Sequence, residues 1–235
     1  MRVYGKNVAK ELLNSDYNIK SIYMQEGFNN EEILKLINKR KLDVIIKSQS
    51  EMDKMERELH QGIIIEIEDY KYLDLNDIKN DKNASFIVIL DHIEDPRNFG
   101  AIIRTCECAG VDYIIVPNKR GALVNATVMK TSSGALTNTK IVLVSNLRNA
   151  IESLKKLNFW IIGTDMNGKN YTDIDYTSKT ALIIGNEGSG LKQIVRNSCD
   201  EIASIPLLGK VNSLNASVAA AVTIYEVLRQ RNING

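Results

Sequence analysis

Apolar and polar positions alternate along this chain in two different rhythms. From Lys6 to Leu13 the period is helical, with Val8, Leu12 and Leu13 on one side, and Ile19 to Met24 then alternates as a strand does. Helical period returns at Glu31 to Ile37 through Ile33, Leu34 and Ile37. A short apolar strand follows at 43–46, a charged helix at 49–59 and another strand at 62–67. These elements predict a small α/β module. A polar stretch, EDYKYLDLNDIKNDKN (68–83), reads as a connecting segment with room for one helical turn. Beyond it the strands become continuously apolar, beginning with Phe86-Ile-Val-Ile-Leu90, as strands buried on both faces do. Strands are expected at 85–90, 113–116, 140–144, 159–163, 180–184 and 201–205. Helices are expected at 99–110, 122–132, 146–157, 189–198 and 215–230. Alternation of this kind predicts an open parallel sheet covered by helices, with ligands at the carboxyl ends of the strands.

Composition narrows the picture only slightly. The 235 residues are 44% hydrophobic and 25% charged, ordinary values for a globular chain with a sizeable core. No apolar run approaches the ~20 residues of a membrane span, and the N-terminus lacks a signal-peptide core, so a cytoplasmic protein without membrane partners is expected. Net charge is +1. Residues 1–80 hold 13 basic and 15 acidic side chains, which leaves 17 and 14 of the total of 30 and 29 for residues 81–235. Any nucleic-acid surface must therefore be a local patch, and Lys39-Arg40-Lys41 with Lys6 and Lys10 is one candidate. Cys106, Cys108 and Cys199 have no framework spacing. A C-x-C pair on a helix points two ways, so reduced thiols and no metal are expected.

Three segments follow predicted strands and carry candidate chemistry. In DHIEDPRNFGAIIR (91–104), Asn98 is placed to cap a helix, Gly100 permits a close approach, and Arg104 projects from the second turn. In GNEGSG (185–190), three glycines make a tight loop, but the spacing fits neither a dinucleotide fingerprint nor a P-loop, and Glu187 would repel phosphate. In IPLLGKVNSLNASVA (205–219), Gly209 precedes Asn215, a good N-cap for a helix rich in small residues. Each segment alone also fits an ordinary capped helix or strand-to-helix turn.

Together, in this order and at these separations, N-F-G-A-I-I-R, I-G-N-E-G-S-G and I-P-L-L-G-K-V-N-S-L-N-A-S-V-A resemble the signature motifs of the SpoU (TrmH-type) RNA 2′-O-ribose methyltransferases, within the SPOUT superfamily. The resemblance runs almost continuously over 84–235. Tyr4-Gly5-Lys6-Asn7-Val8 and His60-Gln61-Gly62 extend it to the branch that methylates a guanosine in the peptidyl-transferase region of 23S rRNA. It implies an RNA substrate-binding domain of ribosomal-protein-like α/β type at 1–70, a linker at 71–83, and a trefoil-knotted parallel-sheet methyltransferase domain at 84–235. It also implies a homodimer with the active site near the subunit interface, S-adenosyl-L-methionine as cofactor and RNA as partner. Without it, the β–α rhythm predicts an unknotted sheet, since knots are nearly absent from proteins.

Carried over residue by residue, the resemblance gives Gly185, Ile205, Leu207 and Leu214 to the cofactor, with Thr164 at the rim. It gives Asn98, Arg104, Glu187 and Asn215 to catalysis. The departures are mild: Asn212 stands where the motif often has an acidic residue, and Cys106 and Cys108 replace smaller ones. The family casts this arginine as the base that activates the ribose hydroxyl, yet a guanidinium is effectively never deprotonated in proteins. The chemistry favours Arg104 binding a neighbouring phosphate and stabilising the developing alkoxide, with Glu187 and Asn215 orienting it. Two other functions fit the residues: a tRNA guanosine 2′-O-methyltransferase, or a non-enzymatic rRNA-binding assembly factor that would have no need of an intact Asn98, Arg104, Glu187 and Asn215.

Overall fold

The computed structural model describes residues 1–15, 17–57, 59–186, 188 and 190–233. Its first sheet has the order β1-β4-β2-β3, built from β1 (Arg2–Tyr4), β2 (Ile19–Gln25), β3 (Val44–Lys47) and β4 (Ile63–Ile67). β4 is antiparallel to both β1 and β2, and β2 is parallel to β3. α1 (Lys6–Asn14) and α2 (Glu31–Arg40) lie on one face and bury Val8, Leu12, Ile33 and Ile37. α3 (Gln49–Met55) covers the other through Met52, packed with Tyr4 and Ile64.

The second sheet is wholly parallel. Its order is β10-β8-β9-β5-β6-β7, from β5 (Phe86–Asp91), β6 (Tyr113–Pro117), β7 (Ile141–Val144), β8 (Trp160–Asn170), β9 (Thr180–Gly185) and β10 (Glu201–Ser204). Side chains alternate across β5. Phe86, Val88 and Leu90 join one apolar layer, and Ile87 and Ile89 join the other. The first layer packs under α5 (Pro96–Cys108), α6 (Ala126–Ser132) and α9 (Ala216–Ile233). The second packs under α4 (Leu75–Asn80), α7 (Leu147–Lys155) and α8 (Gln193–Arg196). Burial on both faces explains why the strand sequences run apolar without alternation. The segment after β9 is drawn against the end of β5, where Lys192 N donates to Asp91 Oδ2 at 2.8 Å and Asn186 Nδ2 to the His92 carbonyl at 2.8 Å.

Several elements differ from the sequence reading, each for a local reason. α5 begins at Pro96, not after Asn98. The Asp95 carboxylate accepts from Arg97 N, and Pro96 fills the first position, where no N–H is needed. Asn98 is thus inside the first turn, and its side chain is not the cap. The helix expected over 189–198 shrinks to α8, and β8 runs on through the polar Thr164–Asn170. The segment between the two sheets is ordered. Leu73 bridges to β7 beside Val142, Tyr70 Oη donates to the Thr139 carbonyl at 2.6 Å, and Ile78 is buried. Burial pushes the Tyr70 phenol up to about 12.

Gly100 serves α5–α6 packing. A Cβ there would lie 1.8 Å from Thr131 Oγ1 and 3.0 Å from the Val128 carbonyl. Gly100→Ala is therefore expected to cost about 1–3 kcal/mol, lowering the melting temperature by roughly 2–4 °C per kcal/mol in a chain of this size. Thr131→Ala should restore part of that loss, and additive melting shifts in the double variant would refute the contact.

Candidate active site

A cleft of about 310 Å³ opens at the carboxyl ends of β8 and β9, within the range of small-molecule sites, about 300–1,000 Å³. Three stretches of chain make its walls: the end of β8, the turn after β9, and the loop between β10 and α9. Thr164, Gly185, Ile205, Leu207 and Leu214, the five residues the resemblance gives to the cofactor, all line it.

The turn after β9 is closed on itself. Asn186 and Gly190 exchange both backbone hydrogen bonds, at 3.1 and 3.0 Å, and Asn186 Oδ1 accepts from Gly188 N at 2.9 Å. That closure requires glycine at 185, where a Cβ would come within 2.6 Å of the Gly190 carbonyl carbon, and at 190, whose φ is +63°. Glu187, one of the four catalytic candidates, lies outside the described residues. The opposite wall is apolar. Ile205, Leu207 and Leu214 face small side chains at the start of α9, Ala216 and Ala219. Leu208 and Val211, on the same loop, are 100% and 75% exposed.

Polar groups at the rim are mostly committed. Thr164 Oγ1 donates to the Ile183 carbonyl at 3.0 Å, and Asp165 pairs with Arg196 at 2.7 Å. Asn212, the departure from the motif, lines the cleft too, as do Asp165, Met166, Asn186 and Ser213, to which the sequence assigns no role. The signal was positional, since Asp165 and Met166 follow Thr164 on a strand whose carboxyl end faces ligand.

Asn98 and Asn215 meet, with Asn215 Nδ2 donating to Asn98 Oδ1 at 3.0 Å. Asn215 Oδ1 accepts from Ser217 N at 2.9 Å, so one side chain caps α9 and ties it to the first turn of α5. Arg104 is elsewhere. It lies about 9 Å further along α5 than Asn98 and about a third of a turn around it. Its guanidinium donates to Ser133 Oγ at 3.3 Å, where α1 meets α6. Burial raises the Glu11 carboxyl there above its ordinary range, partly offset by the Arg104 charge. Arg104 does not line the cleft of its own chain.

The lysine cluster foreseen on the first domain is largely consumed by structure. Arg40 donates to the carbonyls of Leu12, Ser15 and Tyr17, each at 3.0 Å, and so closes the end of α1. Lys10 pairs with Glu32, and Lys6 sits over the Phe28 ring. Cys106 is buried and Cys108 exposed, as a C-x-C pair on a helix requires. Burial pushes the Cys199 thiol up to about 12. Among the described residues, no group of three or more His, Cys, Asp or Glu could hold a metal ion, and no helix is long and apolar enough to cross a membrane.

Two family models cover most of the chain: RNA 2′-O ribose methyltransferase substrate binding over residues 2–73, and the SpoU rRNA Methylase family over 85–225. The chain belongs to the SpoU family. A relative in Staphylococcus saprophyticus, assigned to the TrmH family of tRNA/rRNA methyltransferases, is 38% identical over 99% of this chain and 97% of its own length. The Bacillus subtilis relative YacO, of the same family, is 35% identical over 98% and 96%. Among solved structures, the SpoU methyltransferase AviRb from Streptomyces viridochromogenes, crystallised with AdoMet, has a TM-score of 0.83 at 26% identity, covering 100% of this chain and 91% of that one. This SpoU chain is an RNA methyltransferase with an N-terminal substrate-binding domain and a six-stranded parallel sheet.

Proposed function

We propose that this enzyme transfers a methyl group from S-adenosylmethionine to a ribose 2′-hydroxyl, and that its target is a guanosine in the peptidyl-transferase region of 23S rRNA. The observation that carries the reading is the cleft itself. A glycine turn closed by its own backbone faces an apolar wall of Ile205, Leu207 and Leu214, which suits an adenine ring held by main-chain groups. The AviRb structure holds AdoMet in the same fold. When bound, the cofactor supplies an electrophilic methyl group on a sulfonium.

The chain's own residues would hold and orient. Gly185 and Gly190 admit the cofactor close to the main chain. The Asn98–Asn215 pair fixes α9 against α5 and so sets the wall that Leu214 and Ala216 form. Arg104, kept cationic, would bind a phosphate and stabilise the developing alkoxide, and Glu187 would help to orient it. In this reading Arg104, which does not line the cleft of its own chain, serves the cleft of a second copy. α9 supports a symmetric dimer: Ala220, Ile224 and Val227 are buried on one side, while Val218 and Tyr225 are 47% and 48% exposed on another.

The choice of 23S rRNA rests on the two N-terminal motifs. The sheet brings them together, with Lys6 N donating to Gln61 Oε1 at 2.8 Å, and within the second motif Gly62 N donates to His60 Nδ1 at 3.0 Å. Mapping 2′-O-methylation on rRNA and tRNA from a strain lacking the protein tests this choice. One missing methyl in the peptidyl-transferase region is expected. A missing methyl in tRNA would move the enzyme to the tRNA reading, and no missing methyl would favour an assembly factor.

A further inference from the structure

A second cleft, about 300 Å³, lies at the carboxyl ends of β5, β6 and β7, on the far side of the turn that walls the first. Its charge is of one sign. Lys119, Arg120, Arg148 and Lys192 line it together with His92. Among the described residues no carboxylate lies within 4.0 Å of Lys119, Arg120 or Lys192. Arg148 is bonded to Glu152 at 3.0 Å, so its charge is partly spent. Asp91, the acid that ends β5, is buried and accepts from both His92 Nδ1 and Lys192 N.

The lining is anchored. Asn118 N donates to the Val144 carbonyl at 2.9 Å and Ala122 N to the Ile93 carbonyl at 2.7 Å, which pins both ends of the short loop carrying Lys119 and Arg120. Arg120 and His92 hold left-handed backbone, φ +57° and +61°, though neither is glycine. Such conformations persist only where surrounding contacts hold them, and they collect at binding sites. The two clefts share one partition. Asn186, Gly188 and Gly190 face the first cleft, and Lys192 and Ile194 face the second.

We propose that the second cleft seats RNA backbone phosphates next to the nucleotide presented to the first, with Lys119, Arg120 and Lys192 as the contacts. This rests on the methyltransferase reading for its choice of RNA. Three unpaired cations in one concavity form an anion site, and because one turn walls both clefts, a polyanion that places a ribose beside that turn brings its neighbouring phosphates to the cations. The contact is to the backbone, so it supplies affinity and register and leaves base choice to other surfaces.

The test is binding of a labelled single-stranded 12-mer RNA of mixed sequence to the full chain across a salt series. Lys119→Ala with Arg120→Asn, which tolerates the left-handed backbone, should bind several-fold more weakly. Its slope of log affinity against log salt should fall by about 1.4, since each single-strand phosphate contact contributes about 0.7. Lys192→Gln, on a different element, should lower the slope by about half as much. At saturating RNA, kcat should hold while KM for RNA rises. A control that loses the same charge elsewhere, Lys79→Ala with Lys82→Ala, should leave the slope unchanged. Equal slopes in the wild type and both cleft variants, or an equal drop in the control, would overturn the proposal. S-adenosylmethionine titrations run beside these separate the two readings. Failure of the wild type to bind the cofactor would remove the methyltransferase reading without altering the RNA slopes.

Discussion

Arg104→Ala is expected to lower methyl transfer by about 10²–10³ while S-adenosylmethionine affinity stays at the wild-type value, as loss of one charge-stabilising donor does. The affinity should hold because the role proposed for Arg104 is toward the RNA phosphate and the developing alkoxide, and it does not line the cleft walls that would hold the cofactor. Arg104→Lys should rescue poorly, because an ammonium cannot present the bidentate fork. The proposed dimer adds a sharper expectation. A variant without Arg104 keeps its cofactor cleft, and a variant with a ruined cleft keeps its Arg104. Dissociated, mixed in equal amounts and reassociated, and assayed at cofactor well below the Kd of the ruined cleft, these two impaired chains should recover about a quarter of wild-type activity, since half the dimers are mixed and each has one complete site. No recovery in verified mixed dimers would place Arg104 and cofactor in the same chain.

Gly185→Ala supplies the ruined cleft. The added Cβ would lie 2.6 Å from the Gly190 carbonyl carbon and 2.8 Å from Leu191 N. These are backbone atoms within a turn whose ends bond each other, so no side chain can swing aside. Overpacking of about 1–3 kcal/mol falls on the wall of the cleft, and cofactor affinity should drop about ten- to a hundredfold. Calorimetric titration of the purified variant reads this directly. An unchanged affinity would mean that the turn after β9 does not touch the cofactor.

Much of the second domain is legible in its sequence because burial on both faces leaves an unmistakable signature. Phe86–Leu90 and Ala181–Ile184 are apolar at every position, and each is a central strand. What is less legible has a physical cause in each instance. β8 continues through Thr-Asp-Met-Asn-Gly-Lys-Asn, where only Lys169 and Asn170 regain β10 after a register shift, and such a stretch at the sheet edge needs no apolar run. The stretch 71–83 is polar overall, yet Tyr72, Leu73, Leu75 and Ile78 dock it on the two apolar layers, too short a set to show a period. Asp95-Pro96 outcompetes Asn98 as a helix start, and that leaves the Asn98 side chain to meet Asn215.

The site divides in the same way. Glycine spacing and the apolar loop 205–214 carry the cleft, since backbone approach and apolar contact are what those residue types provide. Placement of Arg104 is not in the local sequence. Six residues along a helix set its height and direction relative to Asn98, but which surface it meets depends on where the end of α6 places Ser133. Arg40 teaches the converse. A basic triplet reads as a patch until tertiary structure sets its guanidinium on the carbonyls of Leu12, Ser15 and Tyr17. Strand order and threading likewise depend on long-range pairing that hydrophobic period does not encode.

The most direct test is transfer of labelled methyl from S-adenosylmethionine to unmodified rRNA by the purified protein, followed by alkaline hydrolysis of the RNA. A methylated 2′-oxygen blocks cleavage of the adjoining phosphodiester, so the account predicts label in alkali-resistant dinucleotides, with guanosine on the methylated side. Label recovered entirely in mononucleotides with methylated bases would contradict it, as would no transfer to RNA by a protein that binds the cofactor.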